Sequence, residues 1–344
     1  MKSIIFTYEG YKETNIGDYI QSLAARQFVD EKDVIYWNRD ELDKYPENAK
    51  VIMNGWFTHR PANWPPSPTL SPLFVAFHIN SSAYSELLSE KSIEYLKKYE
   101  PIGCRDKTTA ELLQERGVKA YFSSCLTTTL GYKYKSAKRS NKIYVVDAVH
   151  YVPEASRRIQ KYKFLAYYLF HYKGCKKFIN SARHNNKYEV NIGKEYNRFC
   201  QLVRSYIISK RLLHKDELKD VVVLTQYHHN KEIPTNAERF QRAKDLLHKY
   251  SEAKLVITSR IHCALPCTGL GTPVIFLKNM DDSESSVCRF KGLLDLLNVV
   301  EFKKNKIQNS NIGLPIKSNS IKNPPTYKEF AKQLISICTS FFKS

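Results

Sequence analysis

A hydroxyl, a guanidinium and an imidazole stand close together at Ser259, Arg260 and His262. Arginine is a permanent cation whose planar fork grips a carboxylate or phosphate at two oxygens, and histidine holds or releases a proton near neutrality. The set suits a phosphate or a carboxylate. Its frame is legible on either side. Lys254 to Thr258 is a short, continuous β-branched run of the kind a strand covered on both faces requires, and Gly271-Thr-Pro opens a second run, Val274 to Leu277. Between them Ile261, Leu265, Thr268 and Leu270 lie near helical spacing, with Gly269 and Gly271 supplying the stop. The expectation is strand, helix, strand, with the helix opening at Ser259. Parallel strands need such a crossover, and the loop leaving the first strand is where doubly wound sheets hold their ligands, next to helix N-terminal amides that favour anions.

Other strand ends offer further candidates. Ser3 to Tyr8 reads as a strand and Asp18 to Val29 as a helix, so Asn15 and Gly17 suit close backbone approach in the loop between them, and Asp18 caps the helix. This loop is not GxGxxG, so a dinucleotide fingerprint is unsupported. Arg105 and Asp106 fall at another strand-to-helix junction, with Asp106 placed as an N-cap. Gln226-Tyr-His-His-Asn230 follows a strand over Asp220 to Thr225 and makes His228 a candidate ligand. Arg289 stands before a helix expected over Leu293 to Asn298, where it adds a cation. After the strand Val51 to Asn54, five prolines between Pro61 and Pro72 argue against regular structure. There Trp56, His59, Arg60 and Trp64 offer aromatic faces and polar tips that suit a sugar ring, or rigid packing of the loop.

Thr258-Ser-Arg-Ile-His-Cys-Ala264, followed by Gly271-Thr-Pro-Val-Ile275, resembles the late motif of the polysaccharide pyruvyl transferase family, and Asn15-Ile-Gly-Asp18 and Arg105-Asp106 are similar to its earlier ones. The early motif departs from the more glycine-rich versions. The resemblance implies two Rossmann-like α/β domains facing each other across a cleft, a GT-B-like architecture. It also implies transfer of a pyruvyl group from phosphoenolpyruvate to a sugar of a cell-surface polysaccharide precursor, such as an exopolysaccharide or capsule, forming a ketal with two hydroxyls. No cofactor and no metal are implied. The donor carries a phosphate and a carboxylate, and its enol carbon needs a proton before a sugar oxygen attacks. Arg260 would hold an anionic group, His262 would bind phosphate or deliver that proton, and Ser259, Arg105 and Arg289 would assist. Asn15, Asp18, Trp56, His59 and His228 complete the expected substrate contacts, with a lipid-linked saccharide as acceptor.

Length and charge bound these readings. A chain of 344 residues suits two domains, expected over 1–135 on the acceptor side and 142–323 on the donor side. The polar stretch Ser136 to Asn141 links them. Phe330, Leu334, Ile337 and Phe341 form an apolar stripe on a final helix, within 324–344, that docks back on the body. No apolar run reaches a membrane span, and the N-terminus turns polar at Glu9, too soon for a signal segment, so a cytoplasmic location is expected. The eight cysteines are scattered with no CxxC. Cys263 and Cys267 share a helix face, yet no second pair completes a zinc site. Formal charge is +20, and residues 151–220 hold 16 Lys and Arg against 6 Asp and Glu. Within that segment Arg157 to Phe178 reads as a basic, aromatic helix suited either to an anionic membrane interface or to packing between domains. Two alternatives stay open: a GT-B glycosyltransferase using a nucleotide sugar, and a non-catalytic nucleic-acid binder, for which no specific reading motif is present.

Overall fold

The computed structural model describes residues 1–148, 157–186, 196–280, 288–303 and 306–343. Residues 151–156 and 187–195 of the basic segment, and 281–287 of the polar stretch before Arg289, lie outside them. The first sheet holds β1 (Ser3–Thr7), β3 (Val34–Asn38), β4 (Ala49–Phe57), β5 (Leu70–Ile79), β6 (Ile102–Cys104) and β7 (Ala120–Phe122) in the order β3-β1-β4-β5-β6-β7, all parallel. The second holds β8 (Ile143–Val146), β9 (Val221–Leu224), β11 (Leu255–Thr258), β12 (Val274–Asn279), β13 (Asn298–Lys303) and β14 (Lys306–Ser310) in the order β14-β13-β12-β11-β8-β9. Only β14 runs antiparallel to its neighbour. With each sheet numbered from its own first strand, both follow one order, 2-1-3-4-5-6. Helices flank both sheets. The chain thus has two doubly wound, Rossmann-like α/β units, and each has its switch of winding direction between its first and third strands, β1/β4 and β8/β11. Ligands of such sheets gather outside the strand carboxyl ends at that point.

Strand alternation sends side chains of the second sheet to two cores. Ile143, Val145, Val223, Leu255 and Ile257 pack with the helices of residues 157–212. Tyr144, Val146, Leu224, Val256 and Phe276 join a core continuous with the first sheet's. That shared core contains the helices Ile16–Arg26, Asn236–Glu252 and Ile261–Gly269. Phe240 packs edge-on against Tyr19 at 5.1 Å, and the Tyr19 hydroxyl donates to Asn236 Oδ1 at 2.7 Å. A two-stranded antiparallel ribbon, β2 (Glu13–Asn15) with β10 (Tyr227–His229), adds backbone pairing between the two units.

Several expected elements differ. The helix after β11 opens at Ile261, with Arg260 as its N-cap, so Ser259 and Arg260 precede it. The first helix begins at Ile16 and is capped by Asn15, whose Oδ1 accepts from Gly17 N at 3.1 Å; Asp18 lies inside its first turn. Residues 293–298 form no regular α-helix: a short 3-10 turn, Leu294–Leu296, leads into β13, because Asn298 to Phe302 pair with β12. Backbone pairing overrides the local helical spacing. Pairing also carries β4 through Phe57 and starts β5 at Leu70, which narrows the proline-rich loop. The helix expected from Arg157 to Phe178 is two, Arg157–Phe170 and Tyr172–Asn186. The final helix, Tyr327–Lys343, packs on the first unit, with Phe330 5.2 Å from Phe122.

Candidate active site

A pocket of about 330 Å³ lies where the two winding switches meet, and it takes residues from both units. Asn15, Asp18, Trp56, His59, His78 and Arg105 come from the first sheet's strand ends and loops, and Gln226, Ser259, Arg260, His262 and Arg289 from the second's. Ten of the candidates named from sequence are Asn15, Asp18, Trp56, His59, Arg105, His228, Ser259, Arg260, His262 and Arg289, and nine of them line this pocket. His228 does not: it is buried with Nδ1 3.4 Å from Glu232 Oε2, while its neighbours Gln226 and Tyr227 face the site. Within β10 the alternation that exposes Tyr227 buries His228. Arg60 is likewise engaged elsewhere, 2.9 Å from Glu41, and Trp64 packs beside Phe77 with its indole N–H donated to Ser92.

Close approach of two helices sets the centre. A methyl group placed on Gly17 would meet His262 Cβ at 2.9 Å, so only glycine lets the Ile16–Arg26 helix reach the loop before Cys263. His262 departs from helical geometry there, at φ −83° and ψ 18°. Gln21, one turn further along the first helix, donates through Nε2 to Asp18 Oδ1 at 3.1 Å and faces His262 Nδ1 at 3.2 Å. The other ring nitrogen, Nε2, lies 3.5 Å from Arg105 Nη1; an arginine only donates, so a neutral imidazole with one N–H and one lone pair accepts from Arg105 or from the Gln21 amide, not from both. Sequence spacing gave no sign of Gln21. It was one of several polar residues on a helix.

The electrostatics are unequal. Burial holds the His262 pKa well below its ordinary value, and Arg105, Arg289, His78 and Arg260 press it further, so the imidazole is neutral. Burial also raises the Asp18 carboxyl to about 6, against the pull of Arg39, Arg105 and Arg260. His78 falls to about 4 through burial and Arg105, although its Nδ1 lies 2.6 Å from Asp106 Oδ2. For Asp106, burial pushes upward, but His78, Arg105 and the Thr109 amide outweigh it and the carboxylate stays ionised. Asp106 is also the N-cap expected from sequence, accepting from Thr109 N at 2.9 Å. Arg105 is 2% exposed, and its Nε has no hydrogen-bond acceptor among the described residues, with Asp106 Oδ2 at 3.9 Å.

Asp147, at the end of β8, was missed by sequence reasoning and organises the other wall. Its carboxylate accepts from Thr225 Oγ1 at 2.6 Å, from Gln226 N at 2.9 Å and from Arg260 Nε at 3.3 Å, while its carbonyl accepts from Ser259 Oγ at 2.6 Å. Arg260 is therefore aimed by a carboxylate and also lies 5.3 Å from the Tyr227 ring centre.

A second hollow of about 350 Å³ adjoins the first and shares Asn15, Asp18, Trp56 and His59 with it. Tyr8, Tyr11 and Tyr227 add aromatic surface. Beneath it, Arg39 stacks on Trp56 at 4.6 Å and pairs with Asp40 at 2.9 Å, and Asp40 accepts from the hydroxyls of Tyr11 and Thr58.

Residues 15–282 match the family model for polysaccharide pyruvyl transferase. The chain belongs to the polysaccharide pyruvyl transferase family. The matched span of this transferase begins at Asn15, includes Asp18, Arg105, Arg260 and His262, and ends before Arg289. Neither a curated protein nor a solved structure gives a significant match. Among the described residues no group of His, Cys, Asp and Glu is arranged to hold a metal, and no helix is long and apolar enough to cross a membrane. Cys263 and Cys267 are buried free thiols.

Proposed function

We propose that the chain moves a pyruvyl group from phosphoenolpyruvate to two hydroxyls of a saccharide, forming a ketal and releasing inorganic phosphate. The observation that carries this reading is Arg105, a buried cation with an unfilled Nε, in one pocket with Arg260, Arg289 and a neutral His262. A buried cation lacking a full partner is costly, and a multiply charged anion relieves that cost. Phosphoenolpyruvate supplies a phosphate and a carboxylate to three guanidiniums. Its negative charge also offsets the cations that keep His262 neutral, so the imidazole gains proton affinity when the donor enters.

The balance is simple. With the donor bound, His262 takes up a proton from solvent and gives it to the donor methylene, which becomes a methyl group, as one sugar oxygen bonds to the central carbon. Asp18, raised to about 6, takes that hydroxyl's proton. The second sugar oxygen then displaces phosphate, and its proton leaves with the phosphate. The acceptor ring rests on Trp56, His59 and Tyr11 in the adjoining hollow, so residues 1–135 form the acceptor side and 142–323 the donor side, with the final segment 324–344 docked on the body. A lipid-linked precursor of a cell-surface polysaccharide, met at the inner face of the membrane, is the acceptor class.

The test is to incubate purified protein with phosphoenolpyruvate and a panel of lipid-linked and soluble saccharides, without added metal. Phosphate release together with a ketal-bearing product is expected. Transfer of a sugar from a UDP- or GDP-sugar, with no pyruvyl product, would overturn the reading.

A further inference from the structure

From Tyr162 onward the helix Arg157–Phe170 is apolar on two faces. One is accounted for: Phe164 is buried, and Tyr167 and Tyr168 are half-buried against the Tyr196–Leu212 helix, with Tyr168 5.2 Å from Phe199. The other is not. Tyr162, Leu165, Ala166 and Leu169 recur at i, i+3, i+4 and i+7, and this second stripe points outward. Tyr162 is 76% exposed, Leu169 64% and Phe170 86%. Tyr172, at the start of the next helix, is exposed and packs edge-on against Tyr168 at 5.4 Å. Residues 157–186 carry eight Lys and Arg and no Asp or Glu. One of them, Lys176, sits with Nζ 5.1 Å from the Tyr172 ring.

The geometry points to docking of this stripe on an anionic lipid surface, with Leu165, Leu169 and Phe170 entering the boundary between headgroups and acyl chains while Lys163, Lys173 and Lys176 meet lipid phosphates. A second copy of the chain is a poor occupant, because a two-fold contact would set the same acid-free cationic patch against itself. Nucleic acid fits less well too, since Leu165 and Leu169 at the centre of the stripe offer neither a stacking face nor a hydrogen bond. The surface is separate from the pocket and does not depend on the donor's identity. It would bring the enzyme to an acceptor that carries a lipid anchor.

The experiment is sedimentation of the full chain with vesicles of phosphatidylcholine alone or mixed with phosphatidylglycerol. Binding to the mixed vesicles, weakened by salt, is expected. Leu169→Ser with Phe170→Ser should lower it at least tenfold, since both side chains leave water on docking. Lys173→Glu should lower it about fivefold or more, the ratio equivalent to about 1 kcal/mol per charge near such a surface. Both variants should keep the parent's Tm and its phosphate release with a soluble acceptor. Equal sedimentation of parent and Leu169→Ser/Phe170→Ser would sink the proposal. So would a parent that ignores vesicles while binding single-stranded RNA or forming dimers that the double variant abolishes. A parent that binds vesicles through these residues but releases no phosphate would overturn the pyruvyl reading and leave the surface standing.

Discussion

Gly17→Ala tests the contact on which the site depends. The added methyl would stand 2.9 Å from His262 Cβ, 3.1 Å from Asn15 Oδ1 and 3.2 Å from Gln226 Oε1. Non-bonded carbons rest at about 3.5–4.0 Å, so the two helices must part by roughly 0.6–1 Å. The first helix has little room to retreat, because Ile16, Tyr19, Ile20, Leu23 and Ala24 are all buried. Overpacking of this kind costs about 1–3 kcal/mol, which should appear as a lower Tm. The same shift moves His262 against Arg105 and Gln21, and a misplacement of about 1 Å at a reacting group costs on the order of 100-fold in rate. The assay pairs thermal unfolding with phosphate release from phosphoenolpyruvate. Gly313→Ala is the control, since nothing lies within 4 Å of a methyl group there, and it should change neither quantity. If Gly17→Ala kept the parent's Tm and turnover, the close approach of Gly17 to His262 would be wrong. A lower Tm with full turnover would show that the position of His262 does not limit the chemistry.

Two further outcomes follow from the titrating groups. His262→Gln keeps polarity but cannot deliver a proton, so turnover should fall by roughly 100-fold or more and the pH–rate profile should flatten; a smaller fall with weaker donor dependence in initial rates would reassign it as a phosphate ligand. Asp18 has a raised pKa in the folded chain, about 6, set first by burial, so its contribution to stability is full below the unfolded value near about 4 and is lost as pH rises through about 6. Asp18→Asn removes that loss, and the variant's Tm relative to the parent should climb between about pH 4 and pH 7. A difference that stays level across this window would refute the buried, proton-retaining carboxyl.

Much of the frame was legible because its signals are local. Strands covered on both faces read as unbroken runs such as Leu255–Thr258, and polar residues just beyond them fall at the sheet's ligand edge by topology alone. Asn15, Asp18, Arg105, Arg260 and His262 could therefore be placed before any contact was known. Boundaries were less secure. Asn15 rather than Asp18 caps the first helix, and residues 298–302 pair with β12 although their neighbours carry helical spacing.

The pair of α/β units, the strand ends that carry cations and the family motifs are all written in local sequence. Tertiary structure alone decided that Arg105 lies 3.5 Å from His262, that Gln21 connects His262 to Asp18, that Asp147 aims Arg260, and that His78 joins the wall while His228 turns away. Arg105 and His262 are 157 residues apart in the chain. Helical and strand periodicities depend on neighbours a few residues away and survive in any context. A proton's affinity for His262 or Asp18 depends on burial and on charges a few ångströms distant, and those distances exist only once the two sheets have brought their carboxyl ends to one pocket.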